Sequence, residues 1–147
     1  MIGQRFNMGP GFWKKNRLQS GKEIDAALDQ NIPHNAKTID RTVGQFGVVS
    51  HKSTDLRLKS YQSMARVYWI GMRFVKTLVA YEGEVRRDRQ KQATYHLHWA
   101  LEGNEVSRLL QWFVPDELTL QQEETLQRVI DDGKLLGVDV QILRIPD

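Results

Sequence analysis

The apolar positions of this chain change period several times, and each change marks an element. From Tyr61 to Tyr81 the positions Met64, Val67, Tyr68, Gly71, Phe74, Val75, Leu78 and Val79 recur at intervals of three and four. That spacing gathers them on one stripe and predicts a long amphipathic helix. A second helix is predicted where Thr119 and Gln122 have capping-box spacing, with Leu126, Val129 and Ile130 as its apolar face and Gly133 or Gly137 as its end. A shorter helix is expected over Glu23 to Leu28, capped by Ser20 and closed by Asn31-Ile32-Pro33.

Elsewhere the period falls to two. Lys37 to Val43 and Val48 to Thr54 alternate, and Gly44 with Gly47 brackets the connection, so a β-hairpin is predicted. Thr94 to Leu101 and Leu109 to Val114 are expected to be strands pairing across a Gly103-Asn104 turn, and Val138 to Ile145 a final strand. The order helix, hairpin, long helix, strands, helix, strand predicts an α/β sandwich with a central mixed β-sheet flanked by helices. Residues 1–20 are rich in Gly, Asn and Lys without a sustained period and read as a loosely ordered linker, leaving 21–147 as a single domain.

A chain of 147 residues, 40% hydrophobic and 27% charged, can bury a core in one domain without covalent staples. Its apolar stretches are too short and too often charged to span a bilayer. The first residues lack the apolar run and small-residue cleavage site of a signal peptide, so any export would rely on something outside this chain. With no cysteine, disulfides and cysteine-ligated zinc are excluded. The net charge of +3 is compatible with a polyanionic partner, and its distribution is more telling than its size. Arg86, Arg87, Arg89 and Lys91 form a basic loop able to contact phosphates without reading sequence. The plain alternatives are a solvated charged loop and a docking face for an acidic protein.

Phosphodiester cleavage assisted by a divalent cation needs hard oxygen ligands and a nearby positive group to steady developing negative charge. Strand alternation places Ser50 and Lys52 on one face and turns His51 away. Asp40 lies on the facing arm of the same hairpin, and Glu23 arrives from the preceding helix. Singly, each has an ordinary reading. Asp40 is an acid beside Arg41, Glu23 suits a helix N-terminus, and Lys52 is the kind of charge that guards an edge strand.

The segments Gly21-Lys22-Glu23, Lys37-Thr38-Ile39-Asp40-Arg41 and Gly47-Val48-Val49-Ser50-His51-Lys52-Ser53-Thr54-Asp55-Leu56 together resemble the PD-(D/E)xK nuclease superfamily. The variant they resemble is found at the C-terminal ends of contact-dependent growth inhibition toxins. Phe113-Val114-Pro115-Asp116 and Gly137-Val138-Asp139-Val140 look like that family's close. The resemblance implies a restriction-endonuclease-like sandwich and a divalent ion (Mg, Mn or Zn) held by Glu23 and Asp40. Ser50 would be an accessory ligand, standing where the broader motif has a second acid, and Lys52 would orient water or stabilise the transition state. It further implies DNA or tRNA as substrate and a cognate immunity protein as partner. The domain would be secreted as part of a larger exoprotein and delivered to the target-cell cytoplasm. The alternative is a non-catalytic nucleic-acid-binding or protein-docking module.

Four further sets of residues have competing readings. His96 and His98 share a strand face but lack a third ligand at metal spacing. His34 and His51 are general-base candidates near the proposed centre. Trp13 and Trp99 are candidates for stacking on bases. Trp69 and Trp112 lie within apolar runs and are expected in the core.

Overall fold

Leu109-Leu110-Gln111-Trp112-Phe113-Val114 is apolar on alternate and intervening positions alike, the pattern of a strand covered on both faces. It forms the middle of β6 (Ser107–Pro115), with residues 110–115 all buried. The computed structural model describes residues 1–15, 17–27, 41–43, 47–81, 85–88, 93–96 and 107–147. Around β6 lie β1 (Gln4–Arg5), β2 (Arg41–Val43), β3 (Gly47–Ser53) and β7 (Val138–Ile145), in the order β1-β7-β6-β3-β2. β3, β6, β7 and β1 run parallel, and β2 is antiparallel to β3, so the sheet is mixed as expected.

Helices cover both faces. α2 (Met64–Val79) and α3 (Leu120–Leu135) cover one, where Val67, Val75, Leu78, Leu126 and Val129 close over Leu110, Trp112, Val114, Val140 and Ile142. α1 (Arg17–Ala27) covers the other, where Ile24 and Phe12 pack with Phe113, Leu143 and Ile145. Alternation along β6 therefore sends even-numbered side chains toward α2 and α3 and Phe113 toward α1. Among the described residues, no helix is long and apolar enough to cross a membrane.

The long helix and the capped helix lie where their periods predict them. The Thr119 hydroxyl accepts from the Gln122 backbone N–H at 3.1 Å, and the Gln122 side chain accepts from the Thr119 N–H at 3.1 Å. Gly137, with φ +84, turns the chain from α3 into β7 in a conformation that a β-carbon would strain. The hairpin is present, with Arg41, Thr42 and Val43 opposite Val49, Val48 and Gly47.

Several expectations are corrected. The described part of residues 1–20 is not loose: β1 joins the sheet edge beside β7, Phe12 is fully buried, and α1 begins at Arg17. Ser20 thus lies inside the helix instead of capping it, its hydroxyl directed to the Phe12 carbonyl. The glycines and lysines that suggested a linker hid three aromatic anchors, Phe6, Phe12 and Trp13. β5 (Ala93–His96) does not pair with β6; it pairs antiparallel with β4 (Val85–Asp88) in a separate two-stranded sheet. β6 instead takes two parallel partners, which a hairpin-based reading of local turns does not anticipate. Trp69 is also misplaced by its apolar neighbours. A helix buries one stripe, and Trp69 lies off it, 47% exposed, whereas Trp112 is fully buried.

Two features of this fold have measurable consequences. A β-carbon on Gly71 would lie 2.7 Å from Trp112 Cζ3 and 2.9 Å from Val129 Cγ2, so this glycine sets how closely α2 approaches β6. Gly71→Ala is expected to destabilise by about 1–3 kcal/mol through overpacking, read as a lower denaturant midpoint at unchanged m-value. At the sheet edge, Asp116 receives the guanidinium groups of Arg5 from β1 and Arg144 from β7. Arg5 foremost, then Arg144, holds the Asp116 carboxyl below its ordinary range against the opposing effect of partial burial. A folded-state pKa below the unfolded one contributes stability above the unfolded pKa of about 4, lost as pH falls through the folded value. Asp116→Asn is expected to remove that part of the acid limb, which equilibrium unfolding measured across acid pH would show.

Candidate active site

A cleft opens at the C-terminal end of β3, lined by residues from both faces of the sheet. Its volume is about 730 Å³, and its walls include Lys15, Ser20, His51, Lys52, Asp55 and Phe74. Ser50 and Lys52 alternate with His51 along β3, opposite Leu110, Trp112 and Gln111 of β6 respectively. Ser50 and Lys52 therefore share the α2-facing side, as the strand period predicts, and His51 turns to the other side, edge-on to Phe113 at 6.5 Å. Ser50 is buried and does not line the cleft, whereas Lys52 is half-buried and does.

The stem of Lys52 is packed and its charge is aimed. Its Nζ lies 5.7 Å from the centre of the Phe74 ring, and Phe74 meets Trp112 edge to face at 5.6 Å. An ammonium over an aromatic face gains quadrupole attraction while its methylenes cover apolar surface. The cleft rim just beyond β3 is fixed by buried hydrogen bonds. Trp112 Nε1 donates to the Thr54 hydroxyl at 3.0 Å, and Gln122 Nε2 donates to the carbonyls of Leu56 at 2.8 Å and Tyr61 at 3.2 Å. One glutamine thus caps α3 and pins the loop that leads from β3 into α2.

Glu23 comes from α1 and does not itself line the cleft; it is joined to it through Lys15. Lys15 donates to its Oε1 at 2.6 Å, and Lys15 itself lines the cleft. The other carboxylate oxygen, Oε2, is shut from solvent and has no hydrogen-bond partner among the described residues. An ionised oxygen in that state is costly, and a donor or a cation would satisfy it. Lys15 was not singled out by spacing, since eight residues and a change of element separate it from Glu23. It was legible only as part of the basic run Lys14 to Arg17. Asp55 is a second acid on the cleft wall, but Arg57 holds it through Nε at 2.9 Å and Nη2 at 3.1 Å. Arg57 also reaches Asp147 at 3.0 Å, and Asp55 foremost, with Asp147, raises the guanidinium pKa further above its ordinary value. Asp55 is thereby engaged in fixing the rim.

Asp40 lies outside the described residues, as do Arg89, Lys91, His34, His98 and Trp99; its neighbour Arg41 pairs with Val49. Arg86 and Arg87 are on strand β4 and not in a loop, a correction that follows from the antiparallel pairing of β4 with β5. Among the described residues, no three His, Asp or Glu side chains gather at metal-binding distance.

The family of the CDI toxin restriction endonuclease-like domain matches residues 20–143, which take in most of α1, the β2–β3 hairpin, the cleft residues from Ser20 onward and nearly all of β7. The chain belongs to this family. Among solved structures, this CDI toxin domain is similar to a "CdiA-CT/CdiI toxin and immunity complex from Yersinia pseudotuberculosis". The likeness has a TM-score of 0.55 at 24% sequence identity, covering 78% of this chain and 87% of that one, and is one of fold. No curated protein sequence matches the chain. The restriction-endonuclease-like sandwich implied by the motif segments is the fold of the CDI toxin domain.

The rim is accessible to experiment in this domain. Gln122→Leu keeps side-chain volume but removes the donor to Leu56 and Tyr61 and half of the capping box. It is expected to cost about 1–3 kcal/mol per buried group left unpaired, and to speed limited proteolysis between residues 55 and 62.

Proposed function

We propose that the domain hydrolyses phosphodiester bonds of nucleic acid, DNA or tRNA, with the aid of a divalent cation. The observation that carries this reading is Glu23 Oε2, a buried carboxylate oxygen without a partner among the described residues, on a side chain whose ion-pair partner Lys15 lines the same cleft as Lys52. A hard oxygen of that kind suits Mg²⁺ or Mn²⁺, and zinc also accepts carboxylate ligands. Glu23 and Asp40 would hold the ion; Ser50, buried on the α2-facing side of β3 and off the cleft, would reach it as an accessory oxygen ligand only if β3 turned that side toward Glu23. When bound, such an ion lowers the pKa of water and neutralises phosphate charge.

The chain's own residues then divide the remaining work. Lys52, held by Phe74, offers a fixed ammonium to the charge that develops on the phosphate. Lys15 neutralises Glu23 in the absence of an ion and is the group an arriving cation would displace. Lys15 and Lys52 on one cleft also favour entry of a polyanion. Arg86 and Arg87 on β4, with Arg89 and Lys91, are proposed as contacts to the substrate backbone.

The solved structure of similar fold is described as a toxin and immunity complex, which supports a cognate immunity protein as the partner that neutralises this domain. Membership of the CDI toxin family supports delivery to the target-cell cytoplasm as part of a larger secreted exoprotein.

Purified domain is to be incubated with plasmid DNA and with total tRNA, with Mg²⁺, Mn²⁺ or Zn²⁺ or with chelator. Cutting is expected only with cation, and the polymer cut names the substrate. Glu23→Gln and Asp40→Ala are expected to abolish it, and Lys52→Ala to lower the rate about 10²–10³-fold, the scale for losing one preorganised electrostatic group. Undiminished cutting in chelator or in both acid variants would refute the metal reading. Tight binding without cutting would favour a non-catalytic module.

A further inference from the structure

Phosphodiester hydrolysis at the β3 cleft leaves unexplained the far side of α2. There a second concavity of about 910 Å³ is lined by Tyr68, Trp69, Arg73, Lys76 and Arg128 together with small and apolar residues. No carboxylate is among its described lining residues. Its aromatics are dressed with guanidinium groups. Arg66 and Arg73 lie 4.7 and 5.3 Å from the centre of the Trp69 ring, and Arg128 lies 4.4 Å from that of Tyr68. The Tyr68 hydroxyl donates to Asp132, so this ring is oriented as well as exposed to cations.

A tryptophan that is 47% exposed is an unusual way to end a helix face whose opposite stripe is wholly buried. Arg66 and Arg73 lie over the indole in cation–π contact, and Trp69 still keeps 47% of its surface exposed. Planar guanidinium groups and an indole together make the kind of surface on which unpaired nucleobases stack while phosphates find positive charge. Helical geometry links this surface to the cleft: Ile70 and Phe74 of α2 line the cleft, while Trp69, Arg73 and Lys76 of the same turns line the second concavity. The two are separated by the breadth of one helix, about 10–12 Å.

We infer that the Arg66–Trp69–Arg73 face of α2, with Lys76, Tyr68 and Arg128, is a second binding site for unpaired nucleotides that flank the bond being cut. This inference rests on the nuclease reading of the cleft and adds where the rest of the polymer runs. The occupant is assigned by charge complementarity, since cations alone supply the charge of the lining residues, and by the exposed stacking surface. An acidic immunity protein is the rival occupant. Duplex nucleic acid, with its bases already stacked, should use the site poorly.

The test is anisotropy of a dye-labelled single-stranded oligonucleotide with the full chain in chelator, so that binding is read without cutting. Trp69→Ala is expected to weaken binding about tenfold, within the range for loss of one stacked base, and Trp69→Phe to restore most of it. Arg66→Gln with Arg73→Gln should lower the slope of log affinity against log salt by about 0.7 for each phosphate contact removed. A blunt duplex of the same sequence should respond much less to all three variants. These residues are exposed, and equal thermal midpoints would confirm that the variants remain folded. Unchanged oligonucleotide affinity in the variants overturns the inference, and it does so with the nuclease reading intact if wild-type protein still cuts. A wild-type domain that binds no oligonucleotide overturns it as well, and failure of cation-dependent cutting in the same preparation then identifies loss of the parent reading. Loss of immunity-protein binding with oligonucleotide affinity unchanged would reassign the face to the protein partner.

Discussion

Trp112 is the constraint around which the molecule is arranged. Its ring fills the space between β6 and α2, where Gly71 alone is small enough to let the helix approach. Burying an indole of this size is worth about 4–6 kcal/mol at most, a large share of the net stability of a domain. The same residue reaches into the site by two routes. Phe74 stands edge-on to it and carries the Lys52 ammonium, and its own N–H holds Thr54 at the point where β3 becomes the cleft rim. Core packing and the placement of the candidate electrostatic catalyst are therefore one arrangement.

The cleft gains its character from lying at the end of a strand. Side chains on one face of the sheet are ordinarily kept from those on the other by the sheet itself. At the end of β3 the two layers meet: the segment before α1 contributes Lys15, paired with Glu23 of α1, α2 contributes Phe74, and the strand contributes Lys52 to one side and His51 to the other. Lys15 offsets the charge of Glu23 and the Phe74 ring attracts that of Lys52, while Gln122, Arg57 and Trp112 fix the rim independently of either pair.

How much of this was legible in the sequence depended on the reach of each signal. Periodicity found α2 and α3 because their buried stripes are local, and it placed Ser50 and Lys52 on one side of β3 for the same reason. The capping box was readable because both of its hydrogen bonds span three residues. What failed was nonlocal. Parallel pairing of β6 with β3 and β7 leaves no turn signature, so β5 was assigned to the wrong neighbour. Trp69 and Trp112 sit in equally apolar runs, but Trp69 lies off the buried stripe of a helix whereas Trp112 is on a strand covered on both faces, so one ring is exposed and the other buried. Lys15 became relevant through an ion pair across an element boundary, which no spacing rule anticipates. The motif segments were recognisable because Glu23, Asp40 and Lys52 appear in order with their neighbours, whatever each does alone.

Because β1 takes its only sheet partner from β7, the opening residues of the chain find their place beside the closing ones. Arg5 and Arg144 converging on Asp116 reinforce that join across 139 positions of sequence. Full burial of Phe6 and Phe12 against Leu143 and Ile145 therefore awaits β7, and the sheet closes only by a contact distant in sequence.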